Sequence, residues 1–250
     1  MSSKVVALVT GASSGLGVEF CRQLAPRCDV IIAVARRKAQ LLELADELAG
    51  AVEVHCLEAD LESIEGVART LEAIRQQGPV NYLVNNAGFG VIGRFAALPI
   101  DRQRSMVSLH IDASITLCRA AIPFMRELGG GTIINVSSLG ALVPGKDMAV
   151  YGASKAFLNY YSQSLQAELA GSGIEVQALC PGFTRTEFHD SMTAEGFDRS
   201  RVPESMWMTS EAVVAASLDA LGSGKVLVVP GEDNLNVARL GLQQQLDSLQ

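Results

Sequence analysis

Short aliphatic runs alternate along this chain with stretches whose apolar residues recur at helical spacing, from the first residues to beyond residue 220. The runs at 5–9, 30–35, 52–57, 81–84, 132–136, 174–179 and 226–229 are too uniformly aliphatic to pair a dry face with a wet one. Strands of that kind are buried on both faces, as in a parallel sheet covered by helices on each side. Helical stretches at 15–25, 64–74, 102–125 and 210–221, with Leu41, Leu44, Ala45 and Leu48 in a further one, supply the crossovers. A helix beginning at Tyr151 carries apolar residues at 153, 157, 161, 165 and 169, a ladder along one face that leaves its other side free.

The expected fold is therefore α/β: one Rossmann-like, doubly wound parallel sheet of about seven strands with helices on both faces. Neither a repeat nor a Pro/Gly/Ser linker divides the chain, so a single domain over 1–250 is expected. The weakly patterned span 183–209 is longer than the ~12–15 residues of an ordinary connection and reads as a substrate lid. Its Phe183, Phe188, Met192, Phe197, Met206, Trp207 and Met208 suit a hydrophobic substrate, or else pack the lid or a subunit contact.

Net charge is −7, and Lys and Arg are scattered without a run, so neither nucleic acid nor a membrane surface is an expected partner. Cys21, Cys28, Cys56, Cys118 and Cys180 form no C-x-x-C and no metal-like pairing with His55, His110 or His189. That usage points to reduced thiols and no metal. Only five apolar residues follow Lys4 before Thr10, too few for a signal segment, so a cytoplasmic location is expected.

Gly11-x-x-x-Gly15-x-Gly17 closes the first strand and opens the first helix. A tight turn there lets backbone approach a pyrophosphate, and helix-terminal N–H groups then face the phosphates; Ser13, Ser14 and Leu16 belong to the same turn. At the end of the second strand, where dinucleotide sites hold a ribose diol with a carboxylate, the chain reads Ala35-Arg36-Arg37. Arg36 as main contact and Arg37 as helper suit a 2′-phosphate, so NADP(H) is expected over NAD(H). Asp60 accepts from an adenine amino group or caps the next helix. Asn86, Ala87 and Gly88 follow the fourth strand at the carboxyl edge, where such sheets bind ligands.

Tyr151-x-x-x-Lys155 lies thirteen residues after Ser138. With Thr10-Gly11-x-x-x-Gly15-x-Gly17, Asp60-Leu61, Asn85-Asn86-Ala87-Gly88 and Pro181-Gly182, these motifs run in one order over essentially the whole chain. The chain so resembles the classical short-chain dehydrogenases/reductases. Hydride transfer to a ketone builds charge on oxygen, and a phenol of pKa ~10 protonates it well only if its ion is stabilised. Lys155, one helical turn after Tyr151, favours the phenolate, and Ser138 can donate to the substrate oxygen.

The resemblance further implies that Tyr151 and Lys155 reach the nicotinamide ribose, and that Pro181, Gly182 and Thr184, with Thr186 second, lie against the nicotinamide. It also implies a homodimer or homotetramer built on the helices at 102–125 and 151–170. Where the family carries an Asn that positions a relay water, this chain has His110, which can hydrogen-bond and titrate and is expected to participate or to sit as a core histidine.

The expected activity is reduction of a small to medium apolar carbonyl by NADPH, or the reverse. A 3-oxoacyl thioester reductase is the alternative, for which Arg94, Arg102, Arg104, Arg126, Arg185, Arg199 and Arg201 are candidate anion contacts. A non-catalytic NADP(H)-binding redox sensor is the alternative of another class.

Overall fold

The computed structural model describes residues 4–192, 200 and 202–249. Its centre is β1 (Val6–Thr10), whose five residues are all buried. Beside it lies β2 (Val30–Ala35), equally buried, and then the edge strand β3 (Glu53–Glu58). On the other side of β1 come β4 (Tyr82–Asn85), β5 (Gly131–Val136) and β6 (Ile174–Leu179). All pairs are parallel, and the chain reverses its winding between β1 and β4. That reversal opens a crevice at the carboxyl ends of the strands, the place where open α/β sheets bind ligands.

The period-two geometry of the strands builds two cores from one sheet. Ala7, Val9, Ile31 and Ala33 face α1 (Gly15–Leu24), α2 (Lys38–Glu47) and α7 (Ser210–Asp219) through Phe20, Leu24, Leu41, Leu44 and Val214. Val6, Leu8, Val30 and Ile32 face the opposite way, onto α3 (Ile64–Gln77), α5 (Ala113–Glu127) and α6 (Ala149–Glu168) through Ile74, Leu117, Ala121 and Leu165. Ser63 starts α3 by accepting from Gly66 N–H at 3.0 Å. No helix among the described residues is long and apolar enough to cross a membrane.

Three features depart from the sequence reading. The single helix expected at 102–125 is α4 (Ile100–Val107) and α5 joined by a wide π-turn, Ser108–Asp112, that turns both Leu109 and His110 inward. The seventh strand of the sheet, β9 (Leu227–Val228), is shorter than 226–229.

A final helix, α8 (Glu232–Asp247), went unread because its buried residues are Asn234, Ala238 and Gly241 rather than large apolar ones. Small residues let it lie close: a Cβ on Gly241 would stand 2.8 Å from the Leu142 carbonyl oxygen, and Gln245 donates to that oxygen at 2.9 Å. Within 183–209 the chain forms β7 (Phe183–Thr184), a short turn at Glu187–Ser191 and β8 (Trp207–Met208), which pairs with β7. Phe197, Arg199 and Arg201 lie outside the described residues.

Candidate active site

Thr10 ties the two halves of the crevice together. Its Oγ1 accepts the N–H groups of Asn86 and Ala87, each at 2.9 Å, and donates to Val84 O at 3.2 Å. Asn86 Nδ2 donates to Thr10 O at 2.8 Å, so the 86–88 loop is fastened to the first βα turn. Gly11 turns that corner with φ +68°, and Gly17 lies so close under it that a Cβ would collide with the Gly11 carbonyl. Ser14 precedes α1 without capping it by its side chain, which leaves the first N–H groups of the helix available to an anion.

A cavity of about 690 Å³ runs from this turn to the end of β5. Gly11, Ser13, Ser14, Gly15, Leu16, Arg36, Arg37, Asp60, Leu61, Asn86, Ala87, Gly88, Ser138, Tyr151, Lys155, Pro181, Gly182 and Thr184 all line it. Gly17 and His110 stand behind the wall rather than in it. Asn85 turns away into the core, donating to Asn135 Oδ1 at 2.8 Å. Asp60 accepts Glu62 N–H at 3.0 Å, while Ser63 takes the capping place.

At the open end both guanidinium groups have carboxylate partners. Arg36 donates to Glu62 at 3.0 Å. Arg37 reaches Ser13 Oγ and Ser13 O, each at 3.2 Å, and Glu187 at 3.3 Å.

At the closed end Ser138 accepts Gly140 N–H at 3.0 Å, which leaves its own proton to donate, and it stands beside the Tyr151 ring. Ser137, next in sequence, spends its hydroxyl on Lys155 O at 2.8 Å and so anchors α6. Burial pushes the Tyr151 phenol up to about 12, with the Ser138 hydroxyl working against it. Burial also drives Lys155 down to about 7, and its Nζ donates to Val136 O at 2.8 Å. At neutral pH, then, the phenol keeps its proton and the lysine sits at the edge of its charge.

Around Ser138 and Tyr151 the wall is apolar: Ile92, Val143, Met148, Phe188, Met192, Met206 and, from α8, Val237. Gly90 makes room for Met192, whose Cε would stand 2.6 Å from a Cβ there. Phe183 also lines the cavity, whereas Trp207 and Met208 do not; Trp207 packs on Phe183 at 5.5 Å and His189 at 5.4 Å. Val237, Val143, Met148, Glu62 and Glu187 were missed by the sequence reading because no local pattern marks a residue that reaches the crevice only through packing.

Residues 5–196 match the family model for short chain dehydrogenases, and the chain belongs to that family. A short-chain dehydrogenase from Sphingobium yanoikuyae in complex with NADPH superposes with a TM-score of 0.83, 33% identity and coverage of 96% of this chain and 95% of that one. The bulky-bulky ketone specific alcohol dehydrogenase from Comamonas testosteroni gives 0.80 and 30%, covering 98% and 95%. Sulfoacetaldehyde reductase 2 of Chromohalobacter salexigens is 33% identical over 189 residues, 73% of this chain and 74% of that one. The protein is an NAD(P)-dependent oxidoreductase of this family.

Proposed function

We propose that the protein reduces an uncharged, apolar ketone or aldehyde of small to medium size with NADPH, or oxidises the matching alcohol. The observation that carries this reading is the division of one cleft into a charged end, where Arg36 and Arg37 stand paired with Glu62 and Glu187, and an apolar end around Ser138 and Tyr151. The uncapped α1 terminus fits a pyrophosphate between them, and the two arginines, whose guanidinium groups can pair with phosphate oxygens, suit a 2′-phosphate in exchange for their carboxylate partners.

When bound, the nicotinamide supplies or accepts the hydride. Negative charge growing on the carbonyl oxygen meets the Ser138 proton, preset by the Gly140 N–H bond. Tyr151 delivers its phenolic proton to that oxygen. Lys155, fixed by Val136 O, holds positive charge one turn away and favours the phenolate left behind.

Among the described residues lining the apolar end, Lys155 is the sole Lys or Arg, and it is already bonded. A second reading, a 3-oxoacyl thioester reductase, draws on Arg102, whose guanidinium lies 4.4 Å from the centre of the lining residue Phe89. A homodimer or homotetramer is part of the proposal, supported by Phe95, Ile100 and Tyr160 left exposed on and beside α4 and α6, and light scattering checks it.

The test is NADPH consumption against a panel of diketones, aldehydes, aromatic ketones, steroids and 3-oxoacyl thioesters, with Tyr151→Phe alongside. Turnover of the uncharged members, lost in the variant, supports the reading. Turnover confined to thioesters transfers it to the second one, and NADPH binding without any turnover ends both.

A further inference from the structure

His110 is almost wholly buried, yet it does not line the cavity. Its ring lies between the loop after β4 and the first turns of α6. Ser154 Oγ donates to Tyr151 O at 2.8 Å and lies 2.9 Å from His110 Nδ1. A hydroxyl has one proton, so toward the ring it accepts, and Nδ1 carries the hydrogen. Nε2 is then bare and accepts Phe89 N–H at 3.3 Å. The two bonds set one tautomer and use both nitrogens.

The ionisable groups against the ring are Tyr151, at 6.1 Å between ring centres, and Lys155. A Cβ on Gly88 would stand 2.7 Å from His110 Nε2 and 3.4 Å from Lys155 Nζ, so bare Nε2 and the ammonium converge on the same backbone. Protonating Nε2 would break the Phe89 bond and set a second cation near Lys155. Burial and Lys155 both hold the imidazole well below its ordinary pKa.

We propose that His110 is a positioning residue: its neutral ring, hydrogen-bearing on Nδ1, ties the 86–89 loop to the turn of α6 that presents Tyr151 and Lys155. This rests on the reading of Tyr151 as proton donor. The ring does its work without titrating, by setting where the phenol stands relative to the loop that walls the nicotinamide end. Small displacements at such a point are costly, because a misplacement of about 1 Å can lower a rate by about 100-fold.

Two measurements test it. In the wild-type protein, labelled-histidine NMR, with the His110 signals assigned from His110→Asn, should show the Nδ1–H tautomer unchanged from about pH 5.5 to 8.5, the span in which a free imidazole titrates. A ring that titrates there, or that carries its hydrogen on Nε2, overturns the proposal. In turnover, His110→Phe keeps an aromatic ring, a somewhat larger one, and loses both nitrogens; kcat should fall by about 10-fold or more with the carbonyl KM little changed. Ser154→Ala, which strands Nδ1–H, should fall by less.

A folded His110→Phe protein with wild-type kcat and pH-rate profile also overturns it. If that variant does not fold, the wild-type spectrum and Ser154→Ala decide. Should Tyr151→Phe keep turnover, the underlying reading fails instead, whatever His110 does.

Discussion

Arg37 and Glu187 face each other across the mouth of the cleft at 3.3 Å, one at the start of α2 and the other on the turn that follows β7. A 2′-phosphate taken up by Arg37 has to compete with that carboxylate. Exposed pairs of this kind are worth up to ~1 kcal/mol, so Glu187→Gln should raise affinity for NADPH relative to NADH by about 2–5-fold. Fluorescence titration of both cofactors measures it, and an unchanged ratio would dismiss the competition.

Arg36 stands more exposed than Arg37 and pairs with the mostly covered carboxylate of Glu62. Hydrogen bonds to a charged group contribute about 1.5–3 kcal/mol, so Arg36→Ala should weaken NADPH binding by about 10-fold or more. NADH binding should barely move. Equal losses for the two cofactors would mean that Arg36 does not read the phosphate.

Lys155 makes stability depend on pH. Its folded-state pKa of about 7 lies below the ordinary 10.5, so between those values the unfolded chain binds the proton more strongly. Stability therefore rises with pH from about 7 toward about 10.5, and below about 7 the folded state carries the full cost of a buried charge. Lys155→Met removes that cost and should stabilise the protein by roughly 1–3 kcal/mol at neutral pH while abolishing turnover. Denaturant unfolding at pH 6 and pH 9 checks it: a variant no more stable than wild type at pH 6 contradicts the assignment.

Val237 brings α8 to the apolar end of the cleft. Val237→Phe should narrow that end and lower kcat/KM for a bulky aromatic ketone by about 10-fold, leaving a small aldehyde close to wild type, since pocket volume discriminates at about 1–3 kcal/mol per group. A matching loss for both substrates would point to a displaced helix.

Much was legible in the order of residues because the physics was local. Aliphatic runs buried on both faces read as parallel strands, and β2 and β6 fall within their expected bounds. Gly11, Gly15 and Gly17 mark a corner that side chains would block, and Tyr151 and Lys155 share a helix face by spacing alone. What stayed hidden depends on distant partners. α8 is buried through Asn234, Ala238 and Gly241, whose smallness has meaning only against Leu142 and Gly182.

By itself, then, the sequence determined the parallel sheet, the glycine turn and the Ser138, Tyr151 and Lys155 motif, since strand burial, backbone freedom and helical spacing act within a few residues. Only the tertiary structure decided that Ser137 anchors α6 while Ser138 faces the cleft, that Arg37 meets Glu187, and that His110 lies behind Gly88 with Nδ1 on Ser154 and Nε2 on Phe89. Direction and tautomer are properties of hydrogen bonds between segments far apart in the chain, and those bonds exist once the two cores have packed.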